Sequence, residues 1–215
     1  MPDAGNATLI IPVIRGLVSE GERVSIALKK HAPDSLGVSI SKEALEGLGT
    51  YLANEERNAC AEPENVEEEV YVAGLSRFGE VRKPPPCFVA AWQFGKERGV
   101  PVLALDMNDS QFTDAYCRNV SGLDVMFSER RERKIARHKF GSQTPAGFVL
   151  EWDETVNSSK GFKNLEMERE RCIANAVFEL SKKYNKPVVV IELERIASVK
   201  KILDEKGLLY TLISD

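Results

Sequence analysis

The sequence predicts an α/β protein, a mainly parallel sheet with helices on both faces, and three observations carry that expectation. Apolar, strand-like runs alternate with stretches of helical periodicity along the chain. Two of those runs, VPVLALD at residues 100–106 and VVVIEL at 188–193, read as buried strands. No repeat or low-complexity segment interrupts the order. Strands joined through helices pair in parallel, by right-handed crossovers.

The elements follow in order. ATLIIPVI at 7–14 reads as the first strand, and residues 18–31 as a helix whose apolar face is Val18, Val24, Ile26, Ala27 and Leu28. Pro33-Asp34 breaks it before a short strand at 36–40. Ser41 caps a helix over 42–55, with Ala44, Leu45, Leu48, Tyr51 and Leu52 at helical spacing. The polar stretch 57–69 reads as a surface linker entering a strand at 70–75. Three consecutive prolines keep 77–86 non-helical, and a helix over 87–98 ends at Gly99. After the strand at 100–106, a helix begins near Asp109 or Ser110. Residues 123–140 read as a charged helix, 141–147 as a loop, and the stretch up to 160 as irregular. A long helix over 165–184, a strand at 186–193, a helix over 196–205 and a last strand at 208–213 complete the chain. The expectation is one domain over 1–215, with a charged helical and loop insertion at about 123–164.

Composition narrows the function classes. The chain has 215 residues, 43% of them hydrophobic and 29% charged, which suits one large soluble domain with a proper core. A net charge of −4 argues against a general nucleic-acid binder. No apolar run reaches membrane-spanning length and the N-terminus does not resemble a signal peptide, so the expected location is cytoplasmic, without membrane contact. The four cysteines are scattered without a CxxC pair, which fits neither a zinc site nor a disulfide framework. With only His31 and His138, a histidine-rich metal site is excluded, whereas a carboxylate site for Mg²⁺ or Ca²⁺ is not. Neither a dinucleotide fingerprint nor a P-loop follows any strand.

The chemistry-bearing residues stand at strand ends and on two helices. Asp106 ends a buried strand, where carboxylates face the ligand crevice of an open α/β sheet, or where they cap the next helix. Glu192, Glu194 and Arg195 occupy the same place after the strand at 186–193. Glu168-Arg169-Glu170-Arg171 lies on the longest helix, and arginine supplies a planar fork suited to carboxylate or phosphate. Arg130, Arg131, Arg133, Lys134 and Arg137 recur at helical spacing, a charged solvated face or else a docking surface for an acidic protein partner or nucleic acid.

In this order of elements the chain resembles the TraB family of pheromone-shutdown proteins, related to the EreA/ChaN-like and Tiki proteins. That family opens with a strand ending Gly-x-x-His, where this chain has Pro12-Val13-Ile14-Arg15. Its Pro-Asp-x-Val-x-x-Glu-Leu motif matches residues 33–40, with Ser39 at the glutamate. Its helix and aspartate-ending strand resemble Ala90-Ala91 and residues 99–106, with Cys87 where an acid is expected. Its Glu-Arg-Asp-x-x-Met-Ala stands against Glu168-Arg169-Glu170-Arg171-Cys172-Ile173-Ala174, and its second Gly-x-x-His against Glu192-Leu193-Glu194-Arg195.

The resemblance implies a degenerate member. Some of the family are described as metal-dependent proteases that use those histidines and glutamates on a metal. Arginine does not deprotonate at ordinary pH and does not ligate a cation, so a site with Arg15 and Arg195 implies no metal and no cofactor. The expected site gathers Arg15, Arg169, Arg195, Glu168, Glu192 and Asp106, either as an internal ion-pair cluster or as a pocket for a small anionic ligand. The function expected is a non-catalytic binding or regulatory protein. The alternatives are a hydrolase using Asp106, Asp109, Glu168 and Glu170 with Mg²⁺, and a partner-binding scaffold docking through residues 130–139 or 84–86.

Overall fold

The computed structural model describes residues 7–53, 63, 65–126 and 128–213. Strands β1 (Thr8–Val13), β2 (Ser35–Val38), β3 (Val102–Ala104), β4 (Pro187–Glu192) and β5 (Tyr210–Leu212) form one sheet in the order β3-β2-β4-β1-β5. Every pairing in it is parallel. β1 and β4 lie side by side at its centre, in register from Leu9↔Val188 to Val13↔Glu192.

Side chains of a strand alternate between faces, which explains why VVVI is apolar without a break. Val188 and Val190 face a cluster with Val24, Leu28, Leu48, Leu52 and Phe88, from α1 (Val18–His31), α2 (Lys42–Ala53) and α4 (Pro86–Arg98). Val189 and Ile191 face the other way, against Ile173, Val177, Val199 and Leu203 of α9 (Lys160–Lys183) and α10 (Ile196–Glu205). Helices thus cover both faces. In β2, Gly37 leaves no room for a side chain, since a Cβ would come within 2.9 Å of both Leu105 and Val189.

A third cluster caps the carboxyl edge of the sheet. Ile14 and Leu17 pack there on Tyr71 and Leu75 of α3 (Val66–Leu75) and on Phe148 and Val149 of α8 (Pro145–Val156). Beside it lie α5 (Asp109–Asn119), α6 (Gly122–Met126) and α7 (Ser128–Arg137), with Ala115 and Val120 of the α5 region packed on Leu165.

Several elements differ from the sequence expectation. Residues 70–75 are helical: the Asn65 side chain accepts from the Glu68 amide, acids at 67–69 favour the helix N-terminus, and Tyr71 and Leu75 are buried one turn apart. Of the expected linker, 57–62 and 64 lie outside the described residues. Residues 145–156 are helical too, with Thr144 as N-cap, Pro145 in the first turn, and Phe148, Val149 and Val156 buried. The long helix begins at Lys160, five residues earlier than expected, because the Ser159 hydroxyl accepts from the Phe162 amide. Over 123–140 the described residues are helical at Gly122–Met126 and Ser128–Arg137, with residue 127 outside the described residues. β3 spans three residues at the sheet edge, shorter than the apolar run that suggested it. Asn108, not Asp106 or Asp109, caps α5, in a capping box with Gln111.

The connections place a crevice. From β1 the chain passes through α1 to β2 on one side; from β4 it passes through α10 to β5 on the other. The carboxyl ends of β1 and β4 therefore flank a topological switch point, where open α/β sheets bind ligands. Arg15 and Arg195 stand at those two ends.

Candidate functional site

Arg195 ends a 3₁₀ turn, Leu193–Arg195, that leads from β4 straight into α10, and it is only 8% exposed. Its Nη1 donates to Glu166 Oε2 at 2.5 Å, and its Nε lies 3.4 Å from Glu192 Oε2. Burial works against the Arg195 charge, but Glu192 and Glu166 outweigh it and raise the pKa above the usual arginine value. Glu192, 4% exposed, accepts from the Ser39 hydroxyl at 2.5 Å, while its amide donates to Ser39 Oγ at 3.2 Å. A short strand-end serine thus pairs β2 with β4.

Arg169 extends the network. Its Nε and Nη2 donate to Asp106 Oδ2 at 3.2 and 2.5 Å, and its Nη1 donates to Glu166 Oε1 at 2.8 Å. The two oxygens of Glu166 therefore bridge two arginines. Burial pushes the Glu166 carboxyl up, yet Arg195 and Arg169 hold it below the ordinary glutamate value. Asp106 also accepts from the Met107 amide at 2.8 Å, so a residue of the strand end is tied to α9.

Arg15 differs. Gly16 follows it at φ 107°, a left-handed conformation that glycine adopts readily, and the Arg15 carbonyl accepts from the Tyr71 hydroxyl at 2.8 Å. Backbone geometry thus sets its direction. The guanidinium lies 5.4 Å from the centre of the Tyr71 ring, and among the described residues no carboxylate comes within ion-pair distance of it. Burial disfavours the charge, but the fields of Glu192, Tyr71 and Glu194 raise its pKa.

Arg15, Arg169 and Arg195 line one cavity of about 230 Å³, together with Glu166, Glu192 and Glu194. Its other wall is aromatic and apolar, from Phe112, Tyr116, Trp152 and Phe162 with Val156 and Leu165. Arg131 of α7 completes it, stacked 4.0 Å from the centre of the Phe162 ring with its Nη2 donating to Glu67 at 2.6 Å. A second cavity of about 370 Å³ shares Arg15, Glu67 and Trp152 with the first.

Several buried polar atoms on residues of the first cavity have no hydrogen-bond partner: Arg131 Nε and Nη1, Trp152 Nε1, Arg195 Nε and Glu194 Oε2. Each such atom costs about 1–3 kcal/mol if it stays unpaired. Burial, then the neighbouring Glu192, pushes the Glu194 carboxyl up to about 7. Burial and Glu166 raise that of Asp153 as well.

Of the six site residues expected from sequence, five meet here. Asp106 joins through Arg169. Glu168 does not: it faces outward, accepting from Arg118 Nη2 at 2.6 Å and Asn119 Nδ2 at 2.8 Å. Arg131 also departs from the expected docking face, for it turns inward while Arg130, Arg133, Lys134 and Arg137 flank a surface groove with His138. Asp109 and Glu170 are absent from the cavity lining.

Glu166, Trp152 and Asp153 were not expected at the site from sequence, and Arg131 was expected on the docking face instead. Only Glu166 had a readable signal, its i, i+3 spacing to Arg169. Among the described residues no three His, Cys, Asp or Glu side chains are grouped as metal ligands would be, and no helix is long and apolar enough to cross a membrane. No family model matches the chain, and no curated protein matches it.

Proposed function

We propose that this chain is a TraB-like protein that acts by binding rather than catalysis, taking the anionic group of a small ligand at Arg15. One observation carries this reading. Of the four arginines lining the central cavity, Arg131, Arg169 and Arg195 each have a carboxylate within ion-pair distance, and Arg15 does not. The fields of Glu192 and Glu194 offset the burial of the Arg15 charge, but a guanidinium gains more from a directly hydrogen-bonded counter-ion, and an entering ligand can supply one. A carboxylate or phosphate entering the cavity does so, and the unpaired N–H groups of Trp152 and Arg131 add donors beside it.

Asp106, Glu166 and Glu192 accept from Arg169, Arg195 or Ser39, which favours a structural role for these three over a general-base role.

Thermal-shift titration with inorganic phosphate, acetate and benzoate tests the reading. A ligand that binds only the folded state raises the melting temperature with concentration. At least one anion is expected to do so in the wild type and to lose the effect in Arg15→Gln. No shift with any of them, or an unchanged shift in Arg15→Gln, overturns it.

A second reading rests on the cationic groove of α7, with Arg130, Arg133, Lys134, Arg137 and His138 around it. An acidic protein partner fits such a face. A complex recovered from native extract and lost in Arg133→Glu/Lys134→Glu supports that reading, whereas a complex that survives the reversal removes it.

A further inference from the structure

The unmatched charges of the central cavity are of both signs. Arg15 has no carboxylate partner, and among the described residues Glu194 and Asp153 have no cation within ion-pair distance. Among the described residues, Glu194 Oε2 is buried without a donor and the Asp153 side chain accepts from the Asn157 amide group alone, at 2.8 Å. All three residues line the same space. They are close enough for the Glu194 field to act on Arg15, yet too far apart to pair.

Charge balance points the same way. The lining carries four arginines (15, 131, 169 and 195) and five carboxylates (67, 153, 166, 192 and 194). A bare dianion adds repulsion to a lining already rich in carboxylates. A molecule with one negative and one positive group adds none, and it satisfies both kinds of orphan.

Size and polarity narrow the class further. A volume of about 230 Å³ holds roughly eight water-sized groups at about 30 Å³ each, and Trp152, Phe162, Val156 and Leu165 offer an apolar wall. We propose that the ligand is an α-amino acid with an apolar side chain, its carboxylate at Arg15, its ammonium between Glu194 and Asp153, and its side chain against that wall. This rests on the reading of Arg15 as the anion contact. It adds the ammonium site, and with it the substrate class.

Calorimetry on the wild-type chain with matched probes tests it. Leucine and phenylalanine are each compared with the acid that lacks the amino group, 4-methylpentanoate or 3-phenylpropionate. They are compared also with the amine that lacks the carboxylate, 3-methylbutylamine or phenethylamine. At least one amino acid is expected to bind ten-fold or more tightly than either of its halves. Glu194→Gln is expected to erase its advantage over the matched acid, and Asp153→Asn to reduce it. Arg15→Gln should weaken amino acid and acid together.

If acid and amino acid bind equally, the ammonium site is overturned while the anion reading stands. If the amine binds as well as the amino acid, Arg15 is not a carboxylate contact and both fall. If neither amino acid binds, the amino-acid proposal is overturned, and the phosphate, acetate and benzoate titrations decide the anion reading separately.

Discussion

The ends of β1 and β4 are neighbours in the sheet, and each carries an arginine just past the strand, but the two arginines live differently. Arg195 is enclosed, pairs with Glu166 and Glu192, and joins β4 to α9 through the Glu166–Arg169–Asp106 chain. Arg15 is placed by the Gly16 turn and the Tyr71 hydroxyl, and among the described residues no carboxylate pairs with it directly, although the fields of Glu192 and Glu194 favour its charge. The same residue type at equivalent positions is therefore structural in one case and available in the other. What separates them is the partner supplied by a distant helix, since α9 reaches Arg195 and leaves Arg15 uncovered.

The largest effect that tests this contrast is Arg195→Ala. It leaves Glu166 with Arg169 alone and Glu192 with no cation beside it, and the expected loss is about 3–5 kcal/mol in urea unfolding. A loss under 1 kcal/mol would make the cluster ornamental. Arg169→Ala should cost less, about 2 kcal/mol, because its side chain is 23% exposed, although it leaves Asp106 at 3% exposure without its cation. If Arg169→Ala proves the more damaging, Asp106 rather than Glu166 is the anchor of the network.

Glu194 sharpens the comparison by pH. Its carboxyl is raised from 4.5 to about 7 by burial and by Glu192, with Arg15 and Arg195 opposing the rise. A raised acid binds more protons folded than unfolded, so its contribution is complete below about pH 4.5 and is lost as pH rises through about 7. Stability should fall by on the order of 1 kcal/mol between pH 5.5 and 8.5, and Glu194→Gln should flatten that slope in melting experiments. A wild-type slope that the variant retains assigns the titration to another group. The smallest effect belongs to Arg15→Gln, within about 1 kcal/mol of wild type in the same unfolding assay, since the change breaks no ion pair. A larger loss would show that Arg15 is structural like Arg195.

Much of the fold was legible because burial and period coincide in it. Residues 18–31 and 196–205 have clear helical faces, and 188–191 form a β-branched run buried on both sides of the sheet. The helices at 66–75 and 145–156 were not legible. Their apolar residues face a local cap rather than the sheet, so only Asn65 and the Thr144-Pro145 pair marked their starts. Arg15, Asp106, Glu192 and Arg195 were readable as strand-end residues. Glu168 was placed wrongly because proximity in sequence replaced helix phase. At 100° per residue, Glu166 and Arg169 fall about 60° apart and share a face, while Glu168 lies about 160° from Glu166 on the shorter way round. Trp152, Asp153 and Arg131 reach the cavity only through the docking of α7 and α8 over the edge, which no local pattern encodes.

The glycine after β1 has a consequence for how this molecule can change. Because the Gly16 turn aims residue 15 and, among the described residues, no carboxylate forms an ion pair with its side chain, position 15 is tied to the scaffold more loosely than position 195, through Tyr71 and the fields of Glu192 and Glu194. Substitutions there change the charge of the crevice while breaking no ion pair among the described residues. Position 195, wired into three elements, has no such freedom, so new specificities would be sought first at the end of the first strand.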